Sequence, residues 1–142
     1  MLANKLKKGD TIGVVCPSDK IIDEDIPEIK EAERVLKEKG YNVVFSKNVL
    51  QNTTGYGASA KEKAEDINYM YANKDIKAIM SLKGGFNSNS VYEYLDFNVI
   101  KENNKIICGY SDSTSYINYI HSKTGNIGFI GPNFKSLNSP DT

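Results

Sequence analysis

Residues 105–114 read Lys105-Ile106-Ile107-Cys108-Gly109-Tyr110-Ser111-Asp112-Ser113-Thr114. A short apolar run, Ile106 to Cys108, stops at Gly109. After Tyr110 and Ser111, the polar triplet Asp112-Ser113-Thr114 opens a segment with helical spacing. Strand, glycine, serine and helix follow in the order of a nucleophile elbow. In such an elbow a sharp turn holds a serine hydroxyl at the edge of a sheet and at the positive end of a helix. The full pattern is Gly-x-Ser-x-Gly. Ser113 stands at the fifth place here, so the pattern is only partly met. The plainer reading is that residues 111–114 merely cap a helix, since Ser, Asp and Thr all do this well. On either reading the stretch is a strand leading into a helix, and the chain around it alternates in the same way.

Residues 11–16 (TIGVVC) predict a buried strand that ends at Pro17-Ser18. Ile29, Ala32, Val35 and Leu36 share one face of an amphipathic helix. It has Pro27 near its start, Asp25 and Glu28 at capping-box spacing, and Gly40 as its stop. Residues 41–45 (YNVVF) predict the second strand, and a loop over 46–58 follows. Ser59 and Glu62 are spaced as a second capping box, with Ala60, Ala64, Ile67 and Tyr71 on the buried face of a helix reaching about Asn73. The third strand is expected over 76–82. It ends in Lys83-Gly84-Gly85-Phe86-Asn87. A short helical segment with Val91, Tyr94 and Leu95 inward comes next, then a turn around 97–100. The fourth strand is 105–109, followed by a helix carrying Ile117 and Ile120 up to Gly125. The fifth is 126–130, closed by Gly131-Pro132, and the polar tail from Lys135 to Thr142 is expected to fray.

This alternation suits right-handed βαβ crossovers. The expected fold class is α/β: an open, mostly parallel five-stranded sheet with helices on both faces, a flavodoxin/Rossmann-like three-layer sandwich. The commonest order for five such strands, 2-1-3-4-5, would make strands one, three and four neighbours. Three loops would then meet at their carboxyl ends: Pro17-Ser18-Asp19, the turn at Lys83–Asn87, and the Ser111 turn. That convergence favours chemistry over simple capping at Ser111.

A chain of 142 residues suits one domain. With 18 basic and 18 acidic side chains it lacks the electrostatic footprint of a nucleic-acid binder. It holds no apolar run of membrane-spanning length, and its amino-terminal stretch has no apolar core of the signal-peptide kind, so a cytoplasmic location is expected. Cys16 and Cys108 sit in apolar runs and read as buried free thiols. Two cysteines and one histidine are too few for a zinc site.

Gly84-Gly85 directly after a strand lets backbone amides approach a ligand oxygen, as half of an oxyanion hole; it also reads as a plain turn. The other half would be the Asp112 amide, next after the serine. No dinucleotide-binding glycine pattern follows the first strand. His121, the only histidine, lies ten residues beyond Ser111, about 15 Å along a helix at ~1.5 Å per residue, too far to be its base. It reads as structural, at the edge of the helix's buried face. Cys108 is a rival nucleophile, disfavoured because its place in the strand points it into the sheet. The charged run Lys61-Glu62-Lys63-Ala64-Glu65-Asp66 reads as a solvated helix face.

Four stretches carry a family resemblance: IGVVCPS early, SAKEKAEDINYMYANKDIKAIMSLKGGFNSN, LDFNVIKENNKIICGYSDST, and KTGNIGFIGPNF. Together they resemble the LD-carboxypeptidase family of serine peptidases, of the muramoyltetrapeptide carboxypeptidase and microcin-immunity type. Gly-Tyr-Ser-Asp-Ser-Thr and Gly131-Pro132-Asn133-Phe134 look closest to the microcin-immunity branch. The resemblance implies Ser111 as nucleophile and the amides of Asp112 and Gly85 as oxyanion hole. Ser18, Lys83 and Gly84, on the converging loops, are candidates for a substrate loop. No metal or cofactor is implied. The implied partner is a small peptide-derived substrate, with a homodimer expected of the whole protein. The family's base is a histidine paired with a glutamate, both in a separate C-terminal domain, and family members are roughly twice this length. Residues 1–142 are therefore expected to be the N-terminal nucleophile domain alone, nearly inactive by itself and exposing an apolar patch. Two departures stand out. Lys83 replaces the family's usual arginine, losing its planar fork, and Phe86-Asn87 replaces Tyr-Gly. The competing reading is a non-enzymatic flavodoxin-like module that binds a small ligand or anion with the same loops.

Overall fold

The computed structural model describes residues 1–138. Five strands form one sheet in the order β2-β1-β3-β4-β5: β1 Thr11–Val15, β2 Asn42–Phe45, β3 Ile76–Ser81, β4 Ile106–Gly109 and β5 Phe129–Ile130. Every pairing is parallel. The expected strand order therefore holds, and the sheet is parallel throughout.

Helices cover both faces, and the sheet has a core on each side. On one side Ile79 and Ile107 project among Ala64, Ile67 and Tyr71 of α2 (Ala60–Ala72) and Tyr116, Ile117 and Ile120 of α4 (Ser113–Thr124). Ile100 of α3 (Phe97–Glu102) joins them. On the other side Ile12, Val14, Ala78 and Met80 meet Ile29, Ala32 and Leu36 of α1 (Ile26–Glu38). Neighbouring strand positions serve opposite cores because strand side chains alternate across the sheet. The Ser59/Glu62 capping box forms as read: the Glu62 amide donates to Ser59 Oγ at 3.2 Å and the Ser59 amide to Glu62 Oε1 at 2.9 Å.

The structure corrects several local readings. Asp25 does not cap α1; its carboxylate takes the Ile22 amide at 2.9 Å and pairs with two lysines. The fifth strand shrinks to two residues because 126–128 are used otherwise. Asn126 donates to the Ile100 carbonyl, the Ile127 amide bonds the Met1 carbonyl, and a side chain at Gly128 would strike Ile117. Tyr94 is exposed rather than inward, and Tyr92 packs instead, stacked on Tyr119 with ring centroids 3.8 Å apart. The charged run in α2 is not a solvated face, since Lys63 and Asp66 are buried. Asp66 is accommodated by the Asn48 amide and side chain, at 3.2 and 2.9 Å.

The tail is the largest correction. Phe134–Asn138 form a 3-10 turn that returns to α1. Phe134 is wholly buried and meets Phe45 edge-on, while the Lys135 amide donates to the Leu82 carbonyl at 3.0 Å. The remainder of the predicted frayed tail, residues 139–142, lies outside the described residues.

Candidate active site

Gly109 ends β4 where only glycine fits: an added Cβ would lie 2.8 Å from Ser81 Oγ and 2.9 Å from Ser113 Cβ. The chain then turns sharply. Ser111 adopts φ +61°, a left-handed conformation that costs a non-glycine residue of order 1–3 kcal/mol and collects at functional sites. The Thr114 amide bonds the Ser111 carbonyl at 3.0 Å, and α4 begins at Ser113. Ser111 is exposed while Ser113, two residues on, is fully buried. This is elbow geometry, with the serine at the carboxyl end of the sheet.

The three loops converge as the strand order requires. Gly84 abuts Ser111, so that a Cβ there would sit 3.1 Å from Ser111 Cβ and 3.3 Å from its Oγ. Ser18 Oγ, after β1, donates to Asp112 Oδ2 at 2.7 Å, and the Ser88 amide, after β3, donates to the same oxygen at 3.0 Å. Ser88 Oγ donates to the Asp112 carbonyl at 2.7 Å. One aspartate beside the exposed serine therefore ties all three strand-end loops together. Gly85 has φ +136° and lies against Asp19, where a Cβ would fall 2.2 Å from the carboxyl carbon. Among the described residues, neither the Gly85 nor the Asp112 amide donates to a protein acceptor.

Lys83 belongs to the converging loop by sequence, yet its ammonium turns away to Asp25 at 2.7 Å and to the Lys20 carbonyl at 3.1 Å. Its charge thus holds the loop rather than facing Ser111. The thiols are not primed. Burial pushes the Cys16 thiol up to about 12, against the lowering pull of Lys83 and Lys63, and burial raises Cys108 as well. His121 is exposed rather than at a buried edge, with Nδ1 3.0 Å from the Asn126 carbonyl. No three His, Cys, Asp or Glu side chains among the described residues come together as metal ligands.

Three site residues were not singled out from the sequence. Lys63 donates from α2 to the Ser18 carbonyl at 2.8 Å. Burial lowers its pKa, partly countered by Asp19 and Asp112. Asp19 accepts the Phe86 amide at 2.9 Å. Asn133 Oδ1 accepts the Tyr110 amide at 3.0 Å and so braces the elbow from the segment after β5. The signal for Asp19 and Asn133 was their place just beyond strand ends; Lys63, inside a charged run, offered none.

A doubly wound parallel α/β domain with an exposed serine on a strained strand-to-helix turn defines the general class. The chain matches the family model of the LD-carboxypeptidase N-terminal domain over residues 12–131, and it belongs to that family. It is 38% identical over 132 residues to the microcin C7 self-immunity protein MccF of Escherichia coli, covering 93% of this chain and 38% of that protein. A structure of MccF in complex with aspartyl sulfamoyl adenosine superposes with a TM-score of 0.93 at 37% identity, covering 100% of this chain and 43% of that one. The crystal structure of muramoyltetrapeptide carboxypeptidase from Oxalobacter formigenes is more distant, at TM-score 0.77 and 27% identity, covering 92% and 43%. The chain spans about two fifths of the length of the curated relatives it matches. No described helix is long and apolar enough to cross a membrane.

Proposed function

We propose that residues 1–142 are the nucleophile-bearing domain of a serine carboxypeptidase-like hydrolase that cleaves an amide bond near the free carboxyl end of a small peptide-derived substrate. The observation that carries this reading is the exposed Ser111 at φ +61°, against Gly84. Ser111 Oγ attacks the scissile carbonyl and loses its proton to a general base. The amides of Gly85 and Asp112, which have no protein acceptor among the described residues, receive the developing oxyanion. Collapse of the tetrahedral intermediate expels the amine, which takes up the proton, and leaves an acyl-serine that water hydrolyses. His121 cannot be the base, since it lies ten residues beyond Ser111 on α4, about 15 Å away at ~1.5 Å per residue. The base is assigned to a second domain, as a histidine with a glutamate partner. By itself this domain is then nearly inactive, because loss of one triad member costs orders of magnitude. The kinship with MccF and with the muramoyltetrapeptide carboxypeptidase supports two substrate classes, peptidyl-nucleotides of the microcin type and LD-linked murein peptides. The whole protein is assigned to the cytoplasm as a homodimer.

A serine-reactive fluorophosphonate probe tests the reading on the intact protein. Labelling that vanishes in Ser111→Ala is the expected result. Equal labelling of both proteins, or of neither, removes Ser111 from the mechanism and favours an anion-binding module. Hydrolysis of an LD-linked tetrapeptide by residues 1–142 alone, at the rate of the intact protein, would overturn the two-domain assignment.

A further inference from the structure

The turn that follows β3 is anchored in an unusual way. Leu82 before it and Ser88 after it are wholly buried, but its own side chains supply little hold. Gly84 and Gly85 have none, Phe86 is 72% exposed, and Asn87 adopts φ +72°. Lys83 fastens its first residue to Asp25. At the tip the anchor is Asp19, whose Oδ1 accepts the Phe86 amide at 2.9 Å and whose carboxyl carbon fills the space a Gly85 side chain would need. The Asp19 amide also faces the Gly84 carbonyl at 3.5 Å. One residue of the β1 loop thus brackets Gly85 on both sides. Two residues on, Asp112 takes the Ser88 amide in the same manner. The amides of Phe86 and Ser88 are therefore each engaged by a carboxylate, while the Gly85 amide is left free among the described residues.

A carboxylate close to a developing oxyanion is electrostatically unhelpful. Its value must then lie in its acceptor oxygen and its shape, with the buried Lys63 ammonium offsetting the charge of Asp19 and Asp112. We propose that Asp19 is a positioning residue that holds the Gly84–Phe86 turn so that the Gly85 amide stays presented beside Ser111. This rests on the assignment of Gly85 to the oxyanion hole given above.

The distinguishing experiment compares Asp19→Ala with Asp19→Asn in the intact protein. Asparagine keeps an acceptor oxygen for the Phe86 amide without the charge; alanine keeps neither. Asp19→Ala should lower kcat roughly 10- to 100-fold, as expected for a misplaced catalytic group, with KM changed less than about threefold. Asp19→Asn should stay within about threefold of wild type or exceed it. Hydrogen exchange of residues 84–88, followed by mass spectrometry, should accelerate in the alanine protein only. Wild-type kcat in Asp19→Ala overturns the proposal, as does an Asp19→Asn protein impaired as severely as the alanine one. If Ser111→Ala retains activity while the exchange pattern is as expected, the hydrolase reading fails and the anchoring of the turn stands.

Discussion

Asp25 is the residue whose alteration most directly tests how the two ends of the described chain are joined. Its side chain is 4% exposed and lies 2.7 Å from Lys83 Nζ and 2.8 Å from Lys135 Nζ. Burial works against the charge, but the Ile22 amide and the two ammoniums outweigh it and hold the carboxyl at about 2, against an ordinary 3.8. At about 1.36 kcal/mol per tenfold change in acidity, this difference is worth roughly 2 to 2.5 kcal/mol of folding stability at neutral pH. The folded-state pKa is depressed, so the contribution is fully present above the unfolded value and is lost as pH falls through the folded one. Asp25→Asn keeps the shape and an acceptor for the Ile22 amide. It should lower stability by about 2 kcal/mol at pH 7, less than the roughly 3–5 kcal/mol typical of breaking a buried pair outright. Urea unfolding of both proteins across pH 7 to 2 reads the effect. The gap should hold down to about pH 4, roughly halve near pH 3 and fall well below 1 kcal/mol at pH 2. An equal midpoint at pH 7, or a gap that does not change with pH, would refute this account of the cluster.

Three further outcomes are expected. Ser111→Gly should be more stable than Ser111→Ala by about 1 kcal/mol, since glycine accepts φ +61° without strain; equal thermal midpoints would mean the elbow stores none. Gly109→Ala should cost about 1–3 kcal/mol by forcing a methyl against Ser81 and Ser113, and an unchanged denaturation midpoint would show that the elbow can shift to admit it. Ile127, Phe129 and Ile130 are 41%, 40% and 51% exposed at the β5 edge, so residues 1–142 should self-associate, with a sedimentation coefficient that rises with concentration. A concentration-independent monomer counts against that.

The fold was legible because its signals are local. Apolar runs ending in glycine or proline, and apolar residues at helical spacing, each specify one element without reference to the others. Strand order followed from the prior for five such units. The turn at Ser111 was legible for the same reason, as Gly109 and the polar triplet lie within six residues. What escaped notice depends on partners far along the chain. Asp25 looked like a cap because Lys135 is 110 residues away. Lys63 and Asp66 looked solvated because the Ser18 carbonyl and the Asn48 amide that admit them belong to other loops. Residues 126–128 carried strand-like side chains, yet their backbone and side-chain bonds go to Met1, Thr124 and Ile100.

The return of Phe134 and Lys135 to α1 has a consequence for synthesis. A ribosome emits a chain in order, at about 5–20 residues per second, and an early segment can finish packing only when its partners have appeared. The α1 side of the sheet receives Phe134 and Leu137 last, long after Ile29, Ala32 and Leu36 have emerged. A nascent chain that has left the ribosome as far as Ile130, with Phe134 still held inside it, should thus leave that side open to protease and to chaperones while the α2 side is already closed. Arrest a few residues later, once Lys135 is free to reach Asp25, should close it.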